Sequence, residues 1–277
     1  VPGRQLGPGA LVEVWRSRYP VERGERGGIV FGANGDVLFG VMTLAEEGSD
    51  LESLTTGAYL AILDLGRETG YPSLLRIWNH VSSINIEAEG RERYRRFCIG
   101  RYDAFARRGF ALRGDLPAAS AVGMGSGALR IYFLASKRPG VQMENPRQVA
   151  AWDYPPRYGP RSPSFSRATI REWEDERQIY LSGTASIVGH ESRHPGDAAA
   201  QFEETRRNIE AILRRVAPEW PARDGQTLVK LYVRREEDAP LLADRVRGAF
   251  GDASLLILQA DICREELLLE IEMIVRL

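Results

Sequence analysis

The strongest constraint on the fold is a pattern that occurs twice. In "LESLTTGAYLAILDL" the residues Leu51, Leu54, Ala58, Ala61, Ile62 and Leu65 stand at offsets 0, 3, 7, 10, 11 and 14. In "FEETRRNIEAILRRV", Phe202, Thr205, Ile209, Ile212, Leu213 and Val216 stand at the same offsets. That spacing lines one side of an α-helix, so each segment predicts an amphipathic helix with a single buried face. A β-forming run precedes each helix, "GDVLFGVMTL" or "QIYLSGTASIVG", and another follows, "LLRIWNHV" or "LVKLYVR". A second helical stretch comes next in each half, "RERYRRFCIGRYDAFARR" and "APLLADRVRGAF", and then further strand-forming residues. The doubled β-α-β-α-β order predicts an α+β protein of two related α/β units, residues 1–140 and 141–277. Each is expected to be a mixed sheet with two helices packed on one face. Residue identities between the halves are weak, so the repeat is one of pattern.

Composition narrows the classes of function. With 277 residues, 43% hydrophobic and 27% charged, the chain can bury a large core. Its 37 basic and 38 acidic residues nearly cancel, so no global field recruits nucleic acid or an anionic membrane. Two cysteines, Cys98 and Cys263, argue against a disulfide scaffold and fit a reducing cytoplasm. No apolar run approaches the ~20 residues of a membrane span, and no signal-peptide pattern opens the chain, so a cytoplasmic location is expected. The opening Val1 in place of Met suggests trimming of the natural product's first residues.

Chemistry-bearing motifs differ in weight. His190-Glu191-Ser192-Arg193-His194 fits H-E-x-x-H, which binds zinc only when a helix stacks both histidines on one side. The run before it is rich in β-formers and Pro195-Gly196 follows, so a strand entering a turn is the better local reading. "NPRQVAAWDYPPRYGPRSPSFSRA" reads as a linker by its prolines. It reads equally as a binding loop by its aromatic residues Trp152, Tyr154, Tyr158 and Phe165 and its Arg147, Arg157 and Arg161. In "LLLEIEMIV" the alternation puts Leu267, Leu269, Ile271, Met273 and Val275 on one side of a strand and Glu270 and Glu272 on the other. The two carboxylates face solvent, or they are covered, and then burial keeps one protonated near neutrality. Cys98 reads as a core thiol, Cys263 as a possible lining of the same cavity without a thiol-activating partner, and "GMGSG" (Gly123 to Gly127) as a hairpin turn or a close backbone contact.

Three long motifs in order, "NPRQVAAWDYPPRYGPRSPSF", "LSGTASIVGHES" and "LQADICREELLLEIE", together with "LLRIWNHVSSIN" and "ERYRRFCIGR", resemble the chorismatases. Members of that family cleave chorismate into pyruvate and a hydroxybenzoate or a dihydroxycyclohexadiene carboxylate. The resemblance implies two domains related to the RidA/YjgF fold and an active-site loop over residues 145–165. It places the essential acid on Glu270, substrate-gripping groups on Arg101, Arg157, Tyr158 and Arg161, and product-tuning positions on Ala185 and Cys263. Ala185 resembles the hydrolysing branch, whereas Cys263 resembles the benzoate-forming branches. Glu270 is expected to protonate the enolpyruvyl methylene, and arginine forks to hold the two substrate carboxylates. No metal or organic cofactor is implied. A RidA-like imine deaminase or metabolite-binding module is the competing expectation. Two similar halves in one chain predict a monomer.

Overall fold

The computed structural model describes residues 4–7, 11–46, 50–88, 90–125, 127–218, 220 and 227–277. Both halves of the repeated pattern form helices of nineteen residues, α1 over Leu51–Thr69 and α3 over Ala198–Val216. Asp50 and Asp197 cap them by accepting from the backbone N–H of Ser53 and Ala200, satisfying donors that the first turn leaves free. All six stripe residues of α3 are buried. In α1 four are, while Leu54 and Ala61 sit half-buried against the core. The second pair of helices is α2, Arg93–Arg107, and α4, Ala239–Phe250.

Among the described residues, six strands form the first sheet in the order 22–26, 29–33, 37–45, 128–136, 73–82, 118–124, and seven form the second in the order 4–5, 254–259, 227–233, 269–276, 177–184, 168–172, 141–143. Four strands of each correspond. A hairpin strand (37–45 or 177–184) pairs with the last strand of the unit (128–136 or 269–276), then come the strand after the first helix (73–82 or 227–233) and the strand after the second (118–124 or 254–259). The final pair is parallel and the others antiparallel in both sheets. The repeat seen in the sequence is therefore a repeat of topology, and the α+β architecture of two sheets, each with two helices on one face, is as predicted. Residues 4–5 cross over and pair with 258–259 of the second sheet.

Each sheet buries one face under its helices. Ile77, Val81, Ile131 and Phe133 pack with α1 and α2, and Leu269, Ile271, Met273 and Val275 pack with α3 and α4. The helix-free faces turn to each other, where Leu75, Trp78, Ala118 and Leu134 of the first sheet meet Tyr180 and Ile274 of the second. Strand 118–124 would be an open edge. Hydroxyls from the second sheet satisfy it instead: Ala118 N donates to Thr169 Oγ1 at 2.9 Å and Ala119 N to Ser182 Oγ at 2.8 Å. The "GMGSG" hairpin expectation fails, because strand 73–82 lies between the two strands that this run connects. Gly123 instead makes the close backbone contact, donating to Asp261 O at 2.7 Å where a Cβ would strike Asp261 and Ile84. Ser126 of that run lies outside the described residues.

Candidate active site

The alternation of the terminal strand sends Glu270 and Glu272 to the face opposite the helices, and the first sheet covers them there. They are 4% and 3% exposed. Solvent exposure of the pair is thereby excluded. Their surroundings differ completely. Glu272 Oε2 accepts from Arg76 Nη2 at 2.7 Å and Ser120 Oγ at 2.5 Å, while its Oε1 accepts from Trp78 Nε1 at 2.7 Å and lies 3.1 Å from Lys230 Nζ. Burial opposes this charge, but Lys230, Arg76 and the Ser120 hydroxyl prevail and hold the carboxyl down at about 2. Glu270 Oε1 is buried and has no partner among the described residues. Burial, reinforced by the charge of Glu272, pushes the Glu270 carboxyl from 4.5 up to about 8 against the opposing pull of Arg76 and Arg167.

Glu270 borders a cavity of about 460 Å³ between the two units. Helix α2 contributes Tyr94 and Arg101, strand 118–124 contributes Ser120, and strand 177–184 contributes Gly183. A Cβ on Gly183 would collide with Glu270 Oε1, so the absence of a side chain there makes the slot that the carboxyl occupies. The Pro-rich segment forms much of the opposite wall with Tyr154, Arg157, Tyr158, Phe165 and Arg167. It is thus no passive linker. Two short 3-10 turns, Ala151–Asp153 and Pro156–Tyr158, shape it, and Trp152 and Phe165 pack against the core of the first unit.

Two guanidinium groups sit deep in the cavity, Arg101 from α2 and Arg167 from the Pro-rich segment. Arg101 is 1% exposed, and its Nε and Nη2 have no hydrogen-bond partner among the described residues. Arg167, 4% exposed, donates through Nη2 to Val149 O at 3.0 Å and to Tyr154 Oη at 2.8 Å. The ring of Phe165 lies 5.9 Å from the Arg101 guanidinium and 5.1 Å from that of Arg167, an arrangement that spaces two cations across one aromatic body. Buried arginines with open donors are suited to anions carrying planar carboxylates.

Of the residues singled out from sequence, Glu270, Arg101, Arg157, Tyr158, Ala185 and Cys263 line the cavity. Arg161 does not, and its guanidinium lies 4.4 Å from the centre of the Tyr102 ring. Arg157 is at the rim, half-exposed, with Nη2 2.9 Å from His190 Nδ1 and 3.2 Å from Tyr158 Oη. Burial, with the nearby Glu270, pushes the Cys263 thiol up to about 12, so it is a neutral wall and no thiolate nucleophile. Cys98 is a buried thiol in α2. His190 and His194 belong to a hairpin of strands Ile187–Val188 and Glu191–Ser192 and the turn after it, with His194 at φ 58, so no helix stacks them. Ser182, Thr184 and Ser186 spend their hydroxyls on backbone groups. Sequence reasoning missed Arg167 and Arg264, whose guanidinium lies 4.1 Å from the Tyr158 ring centre. Their signal was adjacency: Arg167 directly follows "SFS" of the Pro-rich motif, and Arg264 follows Cys263.

Comparison with known proteins places the chain in a family. Residues 13–135 match the family described as Chorismatase FkbO/Hyg5-like, N-terminal. The chain is 40% identical over 279 residues to a 3-hydroxybenzoate synthase of Streptomyces hygroscopicus, covering 96% of this chain and 81% of that one. It is 39% identical to a chorismatase of Streptomyces rapamycinicus, covering 96% and 82%. A chorismatase crystal structure at 1.08 Å resolution superposes with a TM-score of 0.84 at 36% identity, over 92% of this chain and 80% of that one. Identity at this level through both sheets and the loop that joins them reflects common descent, and the chain belongs to the chorismatase family.

Proposed function

We propose that this protein cleaves chorismate to pyruvate and a hydroxybenzoate, with Glu270 as the general acid. The observation that carries the reading is a buried carboxyl, pushed up to about 8, with an unpartnered oxygen in a cavity that also holds two buried guanidinium groups. At neutral pH such a group keeps its proton and can donate it. Arg101 and Arg167 take the two carboxylates of the substrate, Arg157 and Tyr158 close the rim, and Arg161 steadies the loop through Tyr102. Held in this way, the enolpyruvyl methylene carbon receives the proton of Glu270 and an oxocarbenium ion forms.

The ring 4-hydroxyl then attacks ring C3 internally, the C3–O ether bond breaks and its oxygen leaves as the carbonyl of pyruvate. Opening of the epoxide so formed and loss of the C3 proton give the 3-hydroxybenzoate, so the protons gained by the methylene and the phenol balance those lost from the 4-hydroxyl and C3. Chorismate contains all the atoms of the two products, so this route consumes no water. Cys263, a neutral thiol on the cavity wall, favours internal attack by offering water no strong polar anchor. The 40% identical 3-hydroxybenzoate synthase favours the 3-isomer. In this reading the enzyme works as a cytoplasmic monomer, without nucleic acid or membrane partners. Among the described residues no helix is long and apolar enough to cross a membrane.

Incubation with chorismate followed by chromatographic identification of products tests the proposal. Equimolar pyruvate and 3-hydroxybenzoate are expected. A dihydroxycyclohexadiene carboxylate as main product would reassign the chain to hydrolysis, which the resemblance at Ala185 favours. Imine hydrolysis without pyruvate release would overturn the reading altogether.

A further inference from the structure

Glu272 does not line the cavity, yet four donors converge on it: Arg76, Trp78 and Ser120 from the first sheet and Lys230 from the adjacent strand, in register with it. An ionised carboxylate offers about four acceptor positions, and here all are taken, which leaves no place for a proton. Lys230 Nζ in turn lies 2.7 Å from Glu13 Oε2. A buried ion cluster is weak evidence of stabilisation, because desolvation offsets most of the attraction. Its connections indicate a different use. The Ser120 hydroxyl that donates to Glu272 also accepts from Gly183 N at 3.0 Å, and Gly183 is the residue whose missing side chain makes room for Glu270. Glu272 is thus tied through Ser120 to the slot of Glu270.

We propose that Glu272 is a positioning residue for the Glu270 acid: a carboxylate locked in its charged form that fixes the Gly183 slot through Ser120 and keeps Glu270 protonated by its charge. The proposal rests on the reading of Glu270 as the acid. Alternation along the strand puts the two carboxylates about 7 Å apart, close enough for a charge in the interior to move a neighbour by roughly one to two pH units. The other groups facing Glu270 are Arg76 from strand 73–82, Arg167 from the loop before strand 168–172, Cys263 from the segment before the terminal strand, and Tyr232 from the adjacent strand. Burial, with the charge of Glu272, raises the Tyr232 hydroxyl well above its ordinary range, so both it and the Cys263 thiol stay neutral. Glu272 is the one anion among the groups that raise Glu270.

The pH dependence of kcat/KM for pyruvate release tests this, with folding followed by near-ultraviolet circular dichroism at each pH. Glu272→Gln removes the fixed charge and lowers the upper pH limb by roughly one to two units. Lys230→Met removes the opposing cation and raises the limb. Glu13→Gln, remote from the cavity, strips Lys230 of one partner and lowers the limb by less than Glu272→Gln does. A loss of packing would scale the rate without displacing the limb in opposite directions. Limbs that stay at the wild-type pH, or that move together in Glu272→Gln and Lys230→Met, overturn the proposal. Should Glu272→Gln fail to fold, the opposed shifts of Lys230→Met and Glu13→Gln decide it. Wild-type rates in Glu270→Gln would sink the reading of Glu270 as acid, whereas loss of rate there with unmoved limbs in the other variants removes only the role of Glu272.

Discussion

Glu270 and Glu272 leave the same side of one strand and enter the same protein interior, yet one is pushed up to about 8 and the other held at about 2. Both are buried, so burial is not the difference. Glu272 meets two cations and two further donors, whereas Glu270 meets a cavity and leaves an oxygen unpartnered. Burial in this protein thus sets the stakes and the partners decide the outcome. A carboxylate with a full set of donors becomes a permanent charge, and one facing empty space becomes an acid.

The linkage signs follow from that contrast. The raised value of Glu270 means that the folded state holds its proton more tightly, so its contribution to stability is complete below about 4.5 and is lost as pH rises through about 8. The lowered value of Glu272 contributes stability above about 4.5 that is lost as pH falls through about 2. The largest expected effect is on Glu270→Gln, which lowers pyruvate release by about 10³-fold, since an amide cannot donate the proton. The same variant melts at or above the wild-type temperature at pH 9, because it removes a carboxylate that ionises in a dry site. A lower melting temperature there would show that the charge of Glu270 is not a burden. Glu272→Ala breaks the symmetry from the other side, leaving buried Arg76 without its carboxylate and Lys230 with Glu13 alone, and urea unfolding at pH 7 should register a loss of about 3–5 kcal/mol. Gly183→Ala sharpens the comparison by filling the slot of one carboxylate alone. It is expected to lower kcat by about 10²-fold with an unchanged far-ultraviolet spectrum. The smallest effects belong to the arginines: Arg101→Lys raises KM by about tenfold through loss of the planar fork, and rim-exposed Arg157→Ala by less. Equal KM changes in the two would remove the distinction between deep and rim groups.

Much of this was legible before any coordinates. The matched offsets in α1 and α3 locate two helices and their buried faces, and the alternation in the terminal strand separates Glu270 and Glu272 from the apolar residues between them. The Pro-rich run stayed open between linker and binding loop, because its prolines fit either. Trp152 and Phe165 packed against the first unit, with Arg167 turned into the cavity, make it a wall. In the motif Arg161 is equivalent to Arg157, but a stack on Tyr102 takes it out of the cavity lining, a contact with a residue of α2 that spacing within the loop cannot reveal. Of the two readings of "GMGSG", a hairpin turn or a close backbone contact, the structure shows the contact at Gly123, since which strands become neighbours depends on pairing with residues 73–82.

What the sequence by itself determined is local: where the chain turns, which residues share a face, and that two carboxylates point the same way from one strand. Periodicity carries that information because backbone geometry repeats every two or 3.6 residues whatever lies elsewhere. The family resemblance points to Glu270 as the acid, but only the tertiary structure gives the two carboxylates different surroundings. Arg76 reaches Glu272 from 196 positions away and Ser120 from 152, and those contacts exist only once the helix-free faces of the two sheets have met. Proton affinity depends on solvent exclusion and on neighbouring charge. Both are properties of the assembled interior, and so the difference between the two carboxylates is fixed by folding.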